Sequence, residues 1–223
     1  MNYCVELLHF GAECEPGIII SDVLRLKRKT LFMAGRYSFN SILDYLNDAN
    51  YENIYDRLCL TPGHDVNASK TIMRHQLYNF QFPHDYMFEN GEITNYDAIV
   101  KRFDEKIANF RNVLRNERMV IFLGYTCDVR SLRIKEMLGW MQKNMIRFHL
   151  VLFSYNDDKA QPLCNVESKN LSIIRMGERV WYWSTTQEKK EEIKRDHYRR
   201  FIQSLDEKNI VHDFPHPDEI FNG

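Results

Sequence analysis

The stretch "HFGAECEPG" (residues 9–17) puts a cysteine where a thiol gains reactivity; it follows the apolar run "YCVELLHF" and leads into "IIISDVLRLKRK". Gly11 and Ala12 allow a tight exit from a strand, and Glu15 and Pro16 suit the first turn of a helix, so Cys14 is predicted at a strand-to-helix turn. The dipole and free N–H groups of a helix N-terminus lower a thiol's pKa, whereas Glu15 opposes this by adding negative charge. The competing role for Cys14 is that of a small buried apolar side chain, which cysteine often fills.

A nucleophilic thiol needs a base. The chain offers His-Asp three times, at His64-Asp65, His84-Asp85 and His212-Asp213. Only His84 has an aromatic setting, "YNFQFPHDYMF", in which Phe80, Phe82, Tyr86 and Phe88 are expected to exclude water and Pro83 fixes the backbone. An imidazole there can take a proton from Cys14, with Asp85 or Asp65 orienting the ring. Taken alone, His84 equally suits a hydrogen-bonded loop histidine between packed aromatics.

Metal chemistry has less support. An HD-type phosphohydrolase needs its ligands on helices, and none of the three pairs falls in a helical pattern. His212 and His216 are four apart, but Pro215 and Pro217 oppose a helix there. No metal and no cofactor is expected. Trp181-Tyr182-Trp183 has the aromatic surface to stack on a sugar or base, or to fill a core. The absence of Walker A, G-x-G-x-x-G and G-x-S-x-G sequences removes most support for nucleotide-loop enzymes and ordinary serine hydrolases.

The elements that position these residues are clearest in the second half. "ITNYDAIVKRFDEKIANFRNVLRNE" has Ile99, Phe103, Ile107, Phe110 and Leu114 at steps of three and four, with Thr94 and Asp97 at capping-box spacing, and its other face is basic. "MVIFLGY" (119–125) reads as a strand buried on both sides, "DVRSLRIKEMLGWMQKN" as a helix and "RFHLVLFSY" (147–155) as the next strand, a β-α-β unit. "NLSIIRM" is a further strand. "TTQEKKEEIKRDHYRRFIQSLDEKN" is a helix capped by Thr185 with Glu188, with Ile193, His197, Phe201, Ile202 and Leu205 facing inward. The fold class expected is α/β: residues 1–211 form one domain with a mostly parallel sheet flanked by helices, a Rossmann-like three-layer arrangement. A long irregular loop region is expected near 60–95, and an irregular tail over 212–223.

Composition sets the outer bounds. The 223 residues are 44% apolar and 27% charged, with only nine glycines, which are globular values. A formal net charge of -1 gives no overall attraction to nucleic acid, which is not expected as a partner. No run approaches a membrane span, and no signal peptide is evident, so a cytoplasmic location is expected. Five widely spaced cysteines without C-x-x-C read as free thiols. Neither substrate, protein partner nor oligomeric state is set by these features.

In this order of elements the chain resembles a family of uncharacterised papain-like cysteine peptidases, a domain of unknown function found in bacteria and large DNA viruses. The resemblance spans roughly residues 4–155. It rests on the Gly11-to-Cys14 turn, a following apolar helix, the Phe82-Pro83-His84 element, the helix containing "KRFDEKIANF", and the strand that enters the β-α-β half. Where the family has Pro-Phe-Asp-Trp, this chain keeps Phe39 but has Ser38, Asn40 and Ser41. The resemblance implies a cysteine-dependent hydrolase or acyltransferase with Cys14 as nucleophile and His84 as base. Asn40 would orient the ring in place of the family aspartate, stabilising an imidazolium less than a carboxylate does. The alternative expectation is a non-catalytic α/β module that binds a viral or bacterial partner or a small ligand.

Overall fold

All seven residues of Phe148–Ser154 are buried, so this strand faces water on neither side. In the computed structural model, which describes residues 6–11, 15–25, 31–32, 35–48, 50–65, 70–115, 117, 119–126, 132–155, 166–177 and 182–221, it lies inside a four-stranded sheet. The strands are β1 (Glu6–Gly11), β7 (Val120–Thr126), β8 (Phe148–Ser154) and β9 (Leu171–Arg175). They run in the order β1-β7-β8-β9, and every neighbouring pair is parallel. The order does not reverse among the described strands, so the switch point at which doubly wound sheets take ligands is not present among them.

Alternation along β7 assigns the two faces. Val120 and Phe122 join one apolar cluster, with residues of α2 (Phe39–Asp48), α3 (Tyr96–Leu114) and α4 (Ile134–Asn144). Ile121 and Leu123 join another, with Ile20 of α1 (Glu15–Val23) and Tyr198, Phe201, Ile202 and Leu205 of α5 (Gln187–Glu207). Helices therefore cover both faces, as an all-parallel sheet requires. On α3, Ile99, Phe103, Ile107 and Phe110 are buried as their spacing predicts. Lys106 on the same helix is buried too, its ammonium 4.7 Å from the centre of the Phe103 ring.

The described residues of 60–95 are not the irregular loop expected. They form a three-stranded antiparallel sheet of β2 (Leu60–Asp65), β3 (Lys70–His75) and β4 (Gln81–Phe82), followed by a hairpin of β5 (Phe88–Glu89) and β6 (Glu92–Ile93). Asn90 and Gly91 turn that hairpin at φ 51° and 84°, the left-handed conformations that an Asn-Gly pair tolerates. Met73, Phe80 and Phe82 extend the cluster under α2 and α3, where Phe32, Tyr37, Tyr45 and Phe80 meet edge to face and Phe82 meets Phe103 in the same way.

Further expectations are corrected. The residue that caps α5 is Thr186, whose hydroxyl accepts from the Lys189 N–H, rather than Thr185. Thr94 does not cap α3; the residue before that helix is Asn95, and its side chain instead bonds the Met87 N–H and the Asp85 carbonyl. The tail is also ordered into a short helix, α6 (Pro217–Phe221). It is held to α5 by Phe214, Ile220 and Phe221 and by the Tyr198 hydroxyl, which donates to the Pro215 carbonyl at 2.8 Å. Tyr182 lies in a 3-10 turn and is buried, so it fills a core.

One chain of polar groups links the sheet to α5. Ser172 of β9 donates to the Ser204 carbonyl of α5 at 3.1 Å, so its oxygen accepts from His149 Nε2–H of β8 at 2.9 Å. Burial pushes the His149 pKa down from 6.5 to about 4, helped by the Lys208 ammonium. The folded state thus holds a neutral imidazole that the unfolded chain protonates. Its contribution is complete above pH 6.5 and is lost as pH falls from 6.5 through 4, by about 3 kcal/mol in all. Urea unfolding at pH 7 and pH 4.5 is expected to show most of this loss, added to those from His75 and His197, which burial shifts the same way. A slope unchanged in His149→Gln would exclude His149 as its source.

Candidate functional site

The residues singled out from the sequence occupy different environments. Cys14 lies outside the described residues, between the end of β1 at Gly11 and the start of α1 at Glu15. His84 follows β4 and is exposed, whereas Phe80, Phe82 and Tyr86 around it turn into the core. Asp85 is buried and its Oδ1 lies 2.6 Å from Arg102 Nη2 on α3; among the described residues no hydrogen bond joins it to His84. Asp65 is buried with Oδ2 2.9 Å from Arg36 Nη1, while its neighbour His64 is exposed.

Asn40 sits in the first turn of α2, where its Oδ1 accepts the Arg133 N–H at 2.9 Å, immediately before α4. It thereby satisfies one of the orphan donors of a helix start and ties α2 to α4. Arg133 returns the contact through Asp44 of α2 and also bonds Glu136. His212 approaches Asp206 at 3.4 Å, and no group of three or more His, Cys, Asp or Glu suited to a metal exists among the described residues.

A different histidine lies at the carboxyl ends of the parallel strands, the end at which α/β sheets place their sites. His197 projects from α5 and is 5% exposed. Its Nδ1 lies 2.8 Å from the Ile193 carbonyl, which can only accept, so Nδ1 carries the proton. Burial lowers the pKa of the ring, leaving Nε2 with a lone pair, and that nitrogen accepts from the Tyr155 hydroxyl. Tyr155 immediately follows β8; its ring lies 5.0 Å from that of Tyr125 on β7, while Phe153 stacks on His197 at 5.6 Å. Two chain segments far apart in sequence thus hold an imidazole and a phenol in one orientation.

A cleft of about 330 Å³ opens beside this pair, between Met176 after β9 and the first turns of α5. Its size falls at the lower end of small-molecule sites, which run from about 300 to 1,000 Å³. Of the charged side chains around it, Lys189 pairs with Glu192 at 2.7 Å, and Asp196 is taken by Arg200. Arg195 and Arg199 supply the remaining charge, and the rim is therefore positive. Helical periodicity puts His197 on the inward face of α5, where the structure has it, but points only to packing. The missed signal is that an imidazole on an apolar stripe needs a polar partner, which the tyrosine closing "HLVLFSY" provides.

No family model matches the chain, and neither the curated proteins nor the solved structures include a match to it. The site is therefore read from its own geometry. Asn40→Ala is expected to lower stability in urea by about 1 kcal/mol, since the Arg133 N–H loses its acceptor. Asn40→Asp, which keeps that acceptor, is expected to restore it. Equal loss in both variants would show that the bond to Arg133 is not what Asn40 contributes.

Proposed function

We propose that this protein is an α/β binding domain that takes a small anionic ligand in the cleft beside His197 and Tyr155. The observation that carries this reading is the buried, neutral His197, fixed by the Ile193 carbonyl and the Tyr155 hydroxyl at the carboxyl ends of the strands. Both His197 nitrogens and the Tyr155 proton are engaged within the pair, which fixes one wall of the cleft, and Arg195 and Arg199 supply the attraction to a carboxylate or phosphate group. Helices on both faces of the sheet support the Rossmann-like reading of its layers; the unreversed strand order makes it a variant without a switch point in its described part.

The experiment is an NMR titration of labelled protein with inorganic phosphate, pyrophosphate and citrate. A saturable response centred on Tyr155, Met176 and His197 is expected for at least one anion, weakened about tenfold or more in Arg199→Ala and in His197→Gln. A response spread over all basic surfaces, or one unaffected by both substitutions, sinks the reading.

A cysteine-dependent hydrolase or acyltransferase is the second reading. Its support is the order of elements: β1 ends at Gly11 and α1 begins at Glu15, the strand-to-helix succession in which Cys14 would act as nucleophile. Its base would be His84, with Asn40 or Asp85 as the group that orients the ring; Asn40 Oδ1 accepts the Arg133 N–H and Asp85 pairs with Arg102. Alkylation of each cysteine by iodoacetamide from pH 5 to 9, resolved by peptide mapping, tests it. Fast reaction of Cys14 well below the ordinary thiol pKa of about 8.5, lost in His84→Ala, is the expected result for a dyad. Reaction of Cys14 at the rate of Cys59, a half-buried free thiol, in both proteins would rule it out.

A further inference from the structure

β9 is the outer strand of the parallel sheet among the described residues, and its backbone directions follow from two hydrogen bonds. Leu150 N–H donates to the Asn170 carbonyl at 2.9 Å, and Met176 N–H donates to the Ser154 carbonyl at 2.8 Å. Residues 170 and 176 therefore face β8, and with a period of two so do 172 and 174. Residues 171, 173 and 175 turn their N–H and C=O groups outward. At the ends of this edge the chain already uses them: Leu171 N–H donates to the Ser168 carbonyl, and the Arg175 carbonyl accepts from Arg200 at 3.0 Å. In the middle, both backbone groups of Ile173 point away from the sheet without a partner among the described residues.

A groove of about 870 Å³ runs along this edge, closed on one side by α5. The strand "LSIIR" has no proline, bulge or inward charge of the kinds that blunt an exposed edge. Lys169, Arg175, Arg200 and Lys208 line the groove against Glu167 and Glu207, and the balance stays positive even with Arg200 paired to Asp196. That sign decides between occupants. A second copy pairing edge to edge would bring two positive grooves together, whereas an acidic strand meets complementary charge.

We propose that this edge binds an extended acidic segment of a partner protein as an added β-strand. The Ile173 N–H and C=O fix the register of the guest. Its side chains alternate, acidic ones toward the α5 wall where Arg200 and Lys208 lie, apolar ones toward Leu171 and Ile173 on the other face. This surface is separate from the cleft at His197, and either can fail without the other.

The test uses a fluorescein-labelled, end-blocked heptapeptide, Glu-Val-Glu-Ile-Glu-Val-Glu, and follows anisotropy with the full chain. Saturable binding is expected, weakened at least tenfold by Ile173→Pro, which removes the outward N–H at a position where an edge strand tolerates proline. The paired substitution Lys169→Glu with Lys208→Glu is expected to weaken it to a similar degree, and N-methylation of alternate peptide residues to abolish it. The methylated peptide keeps the test intact should Ile173→Pro disturb folding. Absence of saturable binding, equal binding of the methylated peptide, or sedimentation showing a dimer that Ile173→Pro dissociates would each overturn the proposal.

Discussion

β7 and β8 bury side chains on both faces, so neither strand is stable until helices cover both sides of the sheet. That demand organises the molecule. α5 is long because it spans one face almost alone, with help from α1, and the opposite face is shared among α2, α3, α4 and the small antiparallel sheet. It also dictates where polar groups sit. His149, Ser172 and the Ser204 carbonyl form a chain between strand and helix because an unpaired group in that layer would lose its water without replacement.

The same demand explains why the second half of the fold was legible. A strand buried on both faces is a continuous apolar run, and an amphipathic helix repeats over several turns, so β7, β8, β9, α3, α4 and α5 were found to within a few residues at their ends, or six residues at the start of α4. The antiparallel sheet was hidden for the opposite reason. β2 reads "LTPGHD", half exposed and carrying Pro62 and Gly63, and β4, β5 and β6 have two residues each, too short to show any period. Their stability comes from aromatic contacts to α2 and α3, which no local window contains. The Asn90-Gly91 turn was the one local sign available.

Site residues were legible by type and not by partner. Asn40 was singled out through the family resemblance and Asp85 as the neighbour of His84, and the structure gives each a specific bond, to the Arg133 N–H and to Arg102. Arg102 lies on α3 and Arg133 just before α4, helices whose place is set by tertiary packing. His197 shows the converse: periodicity put it on the inward face of α5, and only the folding together of α5 with the end of β8 makes it half of a pair with Tyr155. Spacing along the chain carries no information about a contact across forty residues of intervening structure.

β1 occupies the sheet beside β7, with Glu6 opposite Val120 and Gly11 opposite Tyr125. During synthesis the first strand therefore emerges long before its neighbour exists, and α1, α2, the small sheet and α3 must all be made in between. Closing so long a loop carries an entropic cost, and parallel pairing of this kind is slow to form. The half that contains β7, α4 and β8 can assemble from neighbouring segments, whereas β1 is a late addition whose apolar run stays available to other chains until then. The order of docking, as much as the final packing, thus decides whether newly made chains reach the sheet or each other.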